Sequence, residues 1–159
     1  MSEGEEAPGT AQADGGDTDD TGWVTTTVGA VGFRADTSIR QHRLVVDEPT
    51  SARGTDAGPT PYEYLLTALA SCTAMTLRVY ADRKKWPLEQ VVVRMRSAQS
   101  HLADCIQCAE APVGISWVDR RIELTGPLTD EQRTRLMEIA DRCPVKQTLE
   151  RGIRIKPAS

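Results

Sequence analysis

The chain has 159 residues, 39% of them hydrophobic and 26% charged, which suits one domain with a real core. No run approaches the roughly 18 apolar residues of a membrane span, and no basic-then-apolar signal segment opens the chain, so a cytoplasmic protein with no membrane partner is expected. The net charge of −4 conceals an asymmetry: residues 1–20 hold seven acidic and no basic residues, leaving +3 on the rest, without the Lys/Arg-rich run that a nucleic-acid surface needs.

Residues 1–21 lack large apolar side chains apart from Met1 and cannot bury enough surface to offset ordering entropy. They read as a disordered acidic tail ahead of a domain over 22–159. The run WVTTTV (23–28) predicts a strand, and GAVGFR (29–34) a glycine-rich turn feeding a second. RLVV (43–46) gives a third short strand, ended by Asp47-Glu48-Pro49. The loop TSARGTDAGPTP (50–61) follows, dense in Gly, Pro, Ser, Thr and Asp.

A helix is predicted from about Tyr62 to Lys85, with Thr60 as N-cap and Pro61 in the first helical position. No charge occurs between Tyr64 and Leu77, roughly 20 Å of helix. A helix apolar on all sides is expected to be buried on all sides, which in so small a domain implies wrapping by sheets or by a second subunit. Strands are predicted at 90–96 and 115–124, with a cysteine-bearing loop between them. Thr129 and Gln132 fit a capping box for a helix to about Arg142, whose Leu136, Ile139, Ala140 and Cys143 share one face. Pro144 is expected to break that helix, 145–150 to add a helical turn, and Ile153-Arg154-Ile155 to form a last strand. The order βββ-α-ββ-α-β defines an α+β fold.

The four cysteines are Cys72, Cys105, Cys108 and Cys143. A thiol buried among apolar side chains is inert, and only an electropositive neighbour makes it reactive. Cys72, within the run ALASCTAMTL, is therefore either core filler or the group the helix exists to carry. Cys143, on the apolar face of the second helix, is either core or the other half of a redox couple. Glu63 lies nine residues before Cys72, about 900° of rotation, so the two point to opposite faces of one straight helix. Its plain role is a first-turn acid favoured by the helix dipole.

The stretch GTDAGPTPYEYLLTALASCTAMTLRVYADRKKWPLE, followed by ADRCPVKQTLE, resembles the OsmC/Ohr family of osmotically inducible and organic-hydroperoxide-resistance proteins, in its OsmC-like branch. The likeness spans roughly residues 30–156 and rests on Pro61, Glu63 and Leu65, on Ser71-Cys72 at the end of a small-residue helix, and on Cys143-Pro144. It implies an intertwined homodimer, with two central buried helices wrapped by β-sheets, that works as a thiol peroxidase. Cys72 would be the peroxidatic cysteine and Cys143 the resolving one, joined as a disulfide during turnover. Glu63 would orient an arginine from the N-terminal β unit, with Arg34 and Arg40 as candidates. Organic hydroperoxides would be the substrates and a lipoyl-type dithiol the reductant, with no cofactor required. The alternative on the same scaffold is a low-turnover redox sensor or a hydrophobic-ligand-binding protein.

The loop HLADCIQCAEA lies outside that motif. His101, Asp104, Cys105 and Cys108 have zinc-ligand character, although four ligands within eight residues make a cramped tetrahedron. An accessory dithiol, or a loop with no chemistry, are the other readings.

Overall fold

A computed structural model describes residues 22–97 and 117–156. The acidic tail and the His101–Cys108 cluster lie outside the described residues. Strands β1 (Val24–Val28), β2 (Ala35–Ile39) and β3 (His42–Val46) form an antiparallel sheet in that order. Register pairs Val24 with Ile39 and Val28 with Ala35, then Ala35 with Val46. Period-2 alternation therefore gathers Val24, Val28, Ala35, Leu44 and Val46 on one face and Thr25, Thr27, Asp36 and Arg43 on the other.

Residues 47–60 form a tight loop organised by Asp47. Its buried carboxylate accepts the Glu48 N–H at 2.8 Å on Oδ1, and the Thr55 N–H (3.0 Å), Thr55 hydroxyl (2.5 Å) and Ala57 N–H (3.1 Å) on Oδ2. Gly54 and Gly58 are needed because a Cβ there would lie 1.8 Å from the Glu48 carbonyl oxygen and 2.3 Å from that of Val45. The loop delivers Thr60 and Pro61 to helix α1 (Pro61–Lys84), which stops where Lys85 turns left-handed at φ 55°.

Beyond α1, β4 (Gln90–Arg96) pairs antiparallel with β5 (Asp119–Thr125). The expected strand over 115–124 is thus β5, shifted toward the C-terminus because pairing with the seven residues of β4 ends at Arg96–Asp119. Residues 115 and 116 lie outside the described residues, and Trp117 and Val118 precede the strand. Helix α2 (Asp130–Ala140) starts with the expected Thr129–Gln132 box, and α3 (Pro144–Arg151) follows at once. Leu77 and Ala81 of α1, Leu88, Leu128, and Leu136, Ile139 and Ala140 of α2 form the core, roofed by Val91, Ile122 and Leu124 of the two-stranded sheet. Tyr80 and Trp86 meet edge-to-face at 5.5 Å, and the Arg135 guanidinium lies over the Tyr80 ring.

Within one chain α1 buries one stripe, Leu69, Thr73, Leu77 and Ala81, while Met75 and Val79 are 66% and 48% exposed. One expectation is corrected: the segment Ile153-Arg154-Ile155 forms no strand; both isoleucines are exposed and no strand of the described chain pairs with them. Pro144 ends α2 and opens the expected helical turn after it, its fixed φ and missing N–H suiting the first helical position. Among the described residues no helix is long and apolar enough to cross a membrane.

Candidate functional site: a thiol pair at a helix junction

Helix α2 ends two residues earlier than its pattern suggests. Arg142 N–H returns to the Ile139 carbonyl at 2.9 Å, making a turn that leaves Cys143 as N-cap of α3. Packing α3 against α1 then sets Cys143 beside Cys72, both as free thiols. Cys72 is partly open to solvent, whereas Cys143 is completely buried behind it.

The two sulfurs are not equivalent. Burial pushes the Cys72 thiol up; the adjoining Cys143 adds to this, while the Val145 N–H and Thr76 hydroxyl oppose it. Burial also acts to raise Cys143, but the Lys146 N–H, Thr73 hydroxyl, Cys72 thiol and Val145 N–H together outweigh it and bring Cys143 down. The sulfur makes no cap hydrogen bond of conventional geometry, so these N–H groups act on it electrostatically from the start of α3. Because Pro144 has no N–H, the first free amides of α3 are those of Val145 and Lys146. Of the two, the inner sulfur is therefore the easier to ionise.

Cys72 opens into a hollow of about 520 Å³, walled by Met75, Val79, Tyr80, Ile139 and Pro144. Its cations are Arg83 and Arg142, neither singled out as a site residue from the sequence; the Cys-Pro dipeptide, read as N-cap and N1, places Arg142 just before the thiol pair. Arg34 is exposed and bonds Asp36 at 3.1 Å, and Arg40 is exposed at the β2–β3 turn with φ 54°. The chain does not bring either into the Cys72 hollow. Glu63 caps α1: its Oε2 accepts the Thr60 N–H at 2.8 Å, and the Thr60 hydroxyl accepts the Glu63 N–H at 3.2 Å. That capping box was readable as Thr60-x-x-Glu63.

The α+β scaffold thus sets two thiols side by side at the edge of an apolar hollow. The OsmC-like protein family matches residues 54–158, and the chain belongs to that family. Solved structures agree on the fold. An OsmC-like protein from Mycoplasma pneumoniae superposes with a TM-score of 0.67 at 18% identity, over 84% of this chain and 89% of that one. An OsmC-like protein of unknown function from Vibrio cholerae gives 0.63 at 11% identity, over 79% and 90%. The organic hydroperoxide resistance protein OsmC of Legionella pneumophila gives 0.57 at 18% identity, over 79% and 85%. Among curated proteins, none matches the chain in sequence.

Proposed function

We propose that the protein is a cysteine-based peroxidase that reduces organic hydroperoxides to alcohols, acts as a cytoplasmic homodimer, and is recycled by a lipoyl-type dithiol. The observation that carries this reading is the apposition of Cys72, facing an apolar hollow, with Cys143 sealed behind it. The Cys72 sulfur attacks one peroxide oxygen; the O–O bond breaks, and the alkoxide leaves as alcohol with the thiol's proton. The Cys143 thiolate then attacks the Cys72 sulfenic acid, forming the S–S bond as the S–O bond breaks and hydroxide leaves as water with one proton. The external dithiol takes over the disulfide and ends oxidised, restoring both thiols.

Attack needs a deprotonated Cys72, whereas burial keeps the proton there. The family resemblance assigns a guanidinium to stabilise the developing Cys72 thiolate, and we assign Arg34 or Arg40 of the three-stranded sheet. Glu63 would orient it through the carboxylate oxygen its cap leaves open. Delivery from a second chain accounts for their distance from the hollow. The uncovered flank of α1 and the unpaired Ile153–Ile155 support such a dimer.

The test is single-turnover oxidation of reduced protein by cumene hydroperoxide, with disulfides mapped by peptide. Rapid, stoichiometric linkage of Cys72 to Cys143 is expected. Equal peroxide consumption by wild type and Cys72→Ser would end the reading. The upward shift of Cys72 favours one second reading, a slow redox sensor on the same thiols, which would close its disulfide once but not turn over with dithiol. A zinc or accessory dithiol role for His101, Asp104, Cys105 and Cys108 rests on sequence alone, and zinc content before and after chelation tests it.

A further inference from the structure

The hollow beside Cys72 holds two arginines, Arg83 and Arg142, that the proposed turnover does not use. Its α1 wall follows one helical stripe: Cys72, Thr76, Val79 and Arg83 succeed one another at intervals of four, three and four residues. From Cys72 to Arg83 the helix turns through about 1100°, within about 20° of three full turns, and rises roughly 16 Å. Arg83 therefore stands on the same side of α1 as the thiol, at the other end of the hollow, with Val79 and Tyr80 between them. Among the described residues no carboxylate lines this hollow. The acids next in sequence to the two arginines are engaged elsewhere: Asp82 accepts from Arg78 at 3.3 Å and Asp141 from Arg120 at 2.7 Å. A last-turn arginine also suits the helix dipole, but Lys84 in the same turn meets that need. An apolar trough with a thiol at one end and cations without acids in its walls is complementary to an amphipathic anion.

We propose that Arg83 is a specificity-determining residue: it seats the acidic end of a carboxylate-bearing, straight-chain hydroperoxide whose peroxide group lies at Cys72. The inference rests on the peroxidase reading for the chemistry at Cys72; the charge preference of the hollow stands apart from it. The planar guanidinium fork of Arg83 meets both carboxylate oxygens, while Met75, Val79 and Ile139 take the hydrocarbon. Arg142 adds a second positive charge to the same field.

The test compares a medium-chain ω-hydroperoxy alkanoate with its methyl ester, which differ only in the terminal charge. Wild type is expected to favour the acid about fivefold in kcat/KM at low salt, the effect of one partly exposed ion pair, and less so as salt is raised. Arg83→Gln should erase the preference by lowering the acid to the level of the ester. Arg83→Lys should keep part of it, as charge without the fork, and Arg83→Glu should reverse it. Equal use of acid and ester by wild type, or a preference that survives Arg83→Gln, overturns the proposal. So does an equal loss of both substrates in Arg83→Gln together with a change of sedimenting mass, which would give Arg83 to a contact with a second copy. If wild type consumes neither hydroperoxide, the peroxidase reading fails, and alkylation of Cys72 by iodoacetamide, mapped by peptide, decides the inference instead. Decanoate should then protect Cys72 in wild type but not in Arg83→Gln, and methyl decanoate in neither; equal protection by acid and ester overturns the proposal.

Discussion

Cys143 and Asp47 show how single residues divide chemistry from architecture. Cys143→Ser should still permit one peroxide to oxidise Cys72, because the outer thiol and its hollow are untouched. Turnover should then stop, with a sulfenic acid that dimedone traps; continued turnover would show that Cys143 does not resolve. Asp47 serves the fold. The Thr55 hydroxyl bond, with the Ala57, Glu48 and Thr55 N–H bonds, outweighs burial and lowers its carboxyl from 3.8 to about 2. A carboxyl depressed in the folded state favours folding when ionised. Its contribution is therefore complete above about pH 4 and is lost as pH falls toward 2. Urea midpoints of wild type and Asp47→Asn should differ most near neutrality and converge in that window. A gap that stays constant down to pH 2 would refute the assignment.

At the scale of elements, the two capping boxes offer an internal control. Helix α2 closes its box with Gln132 where α1 uses Glu63, so an amide satisfies the same geometry as a carboxylate. Glu63→Gln should accordingly leave thermal stability near wild type, whereas Thr60→Ala should cost about 1 kcal/mol. If Glu63 also orients a guanidinium, Glu63→Gln will lower kcat/KM without lowering Tm; unchanged activity would confine Glu63 to the cap. The same contrast explains what could be read beforehand. Caps, proline positions and short strands are local, so β1, β3, β4, α1 and the Thr129 box were legible to within a residue or two, and β2 as a strand fed by the turn over 29–34. The register end of β5 and the unpaired Ile153–Ile155 depend on contacts distant in sequence. Cys72 and Cys143 could be named from family motifs, but their unequal ease of ionisation depends on burial and on the Val145 and Lys146 amides, which no motif announces.

One chain leaves two apolar surfaces uncovered among its described residues. The three-stranded sheet has an apolar face in Val24, Val28, Leu44 and Val46, but little contact with the helical half beyond the Asp47 loop and the Tyr64 hydroxyl bond to the Val45 carbonyl at 2.9 Å. Helix α1 likewise buries one stripe and leaves Leu65, Met75 and Val79 uncovered, and its low charge is costly to expose. Two unsatisfied apolar surfaces in one small domain satisfy each other most simply between two copies, with α1 at the centre and the sheets outside. Sedimentation should then give about twice the chain mass of 17.4 kDa. Val79→Arg places a charge on the uncovered flank of α1 while sparing the core stripe of Leu69, Thr73 and Leu77. It should shift the protein to the single-chain mass with its far-ultraviolet helical signal retained. Because Val79 also walls the Cys72 hollow, the mass rather than turnover is what a loss in this variant reads. A fully active single-chain species would place the activating guanidinium within the chain, where Arg83 and Arg142 already line the hollow.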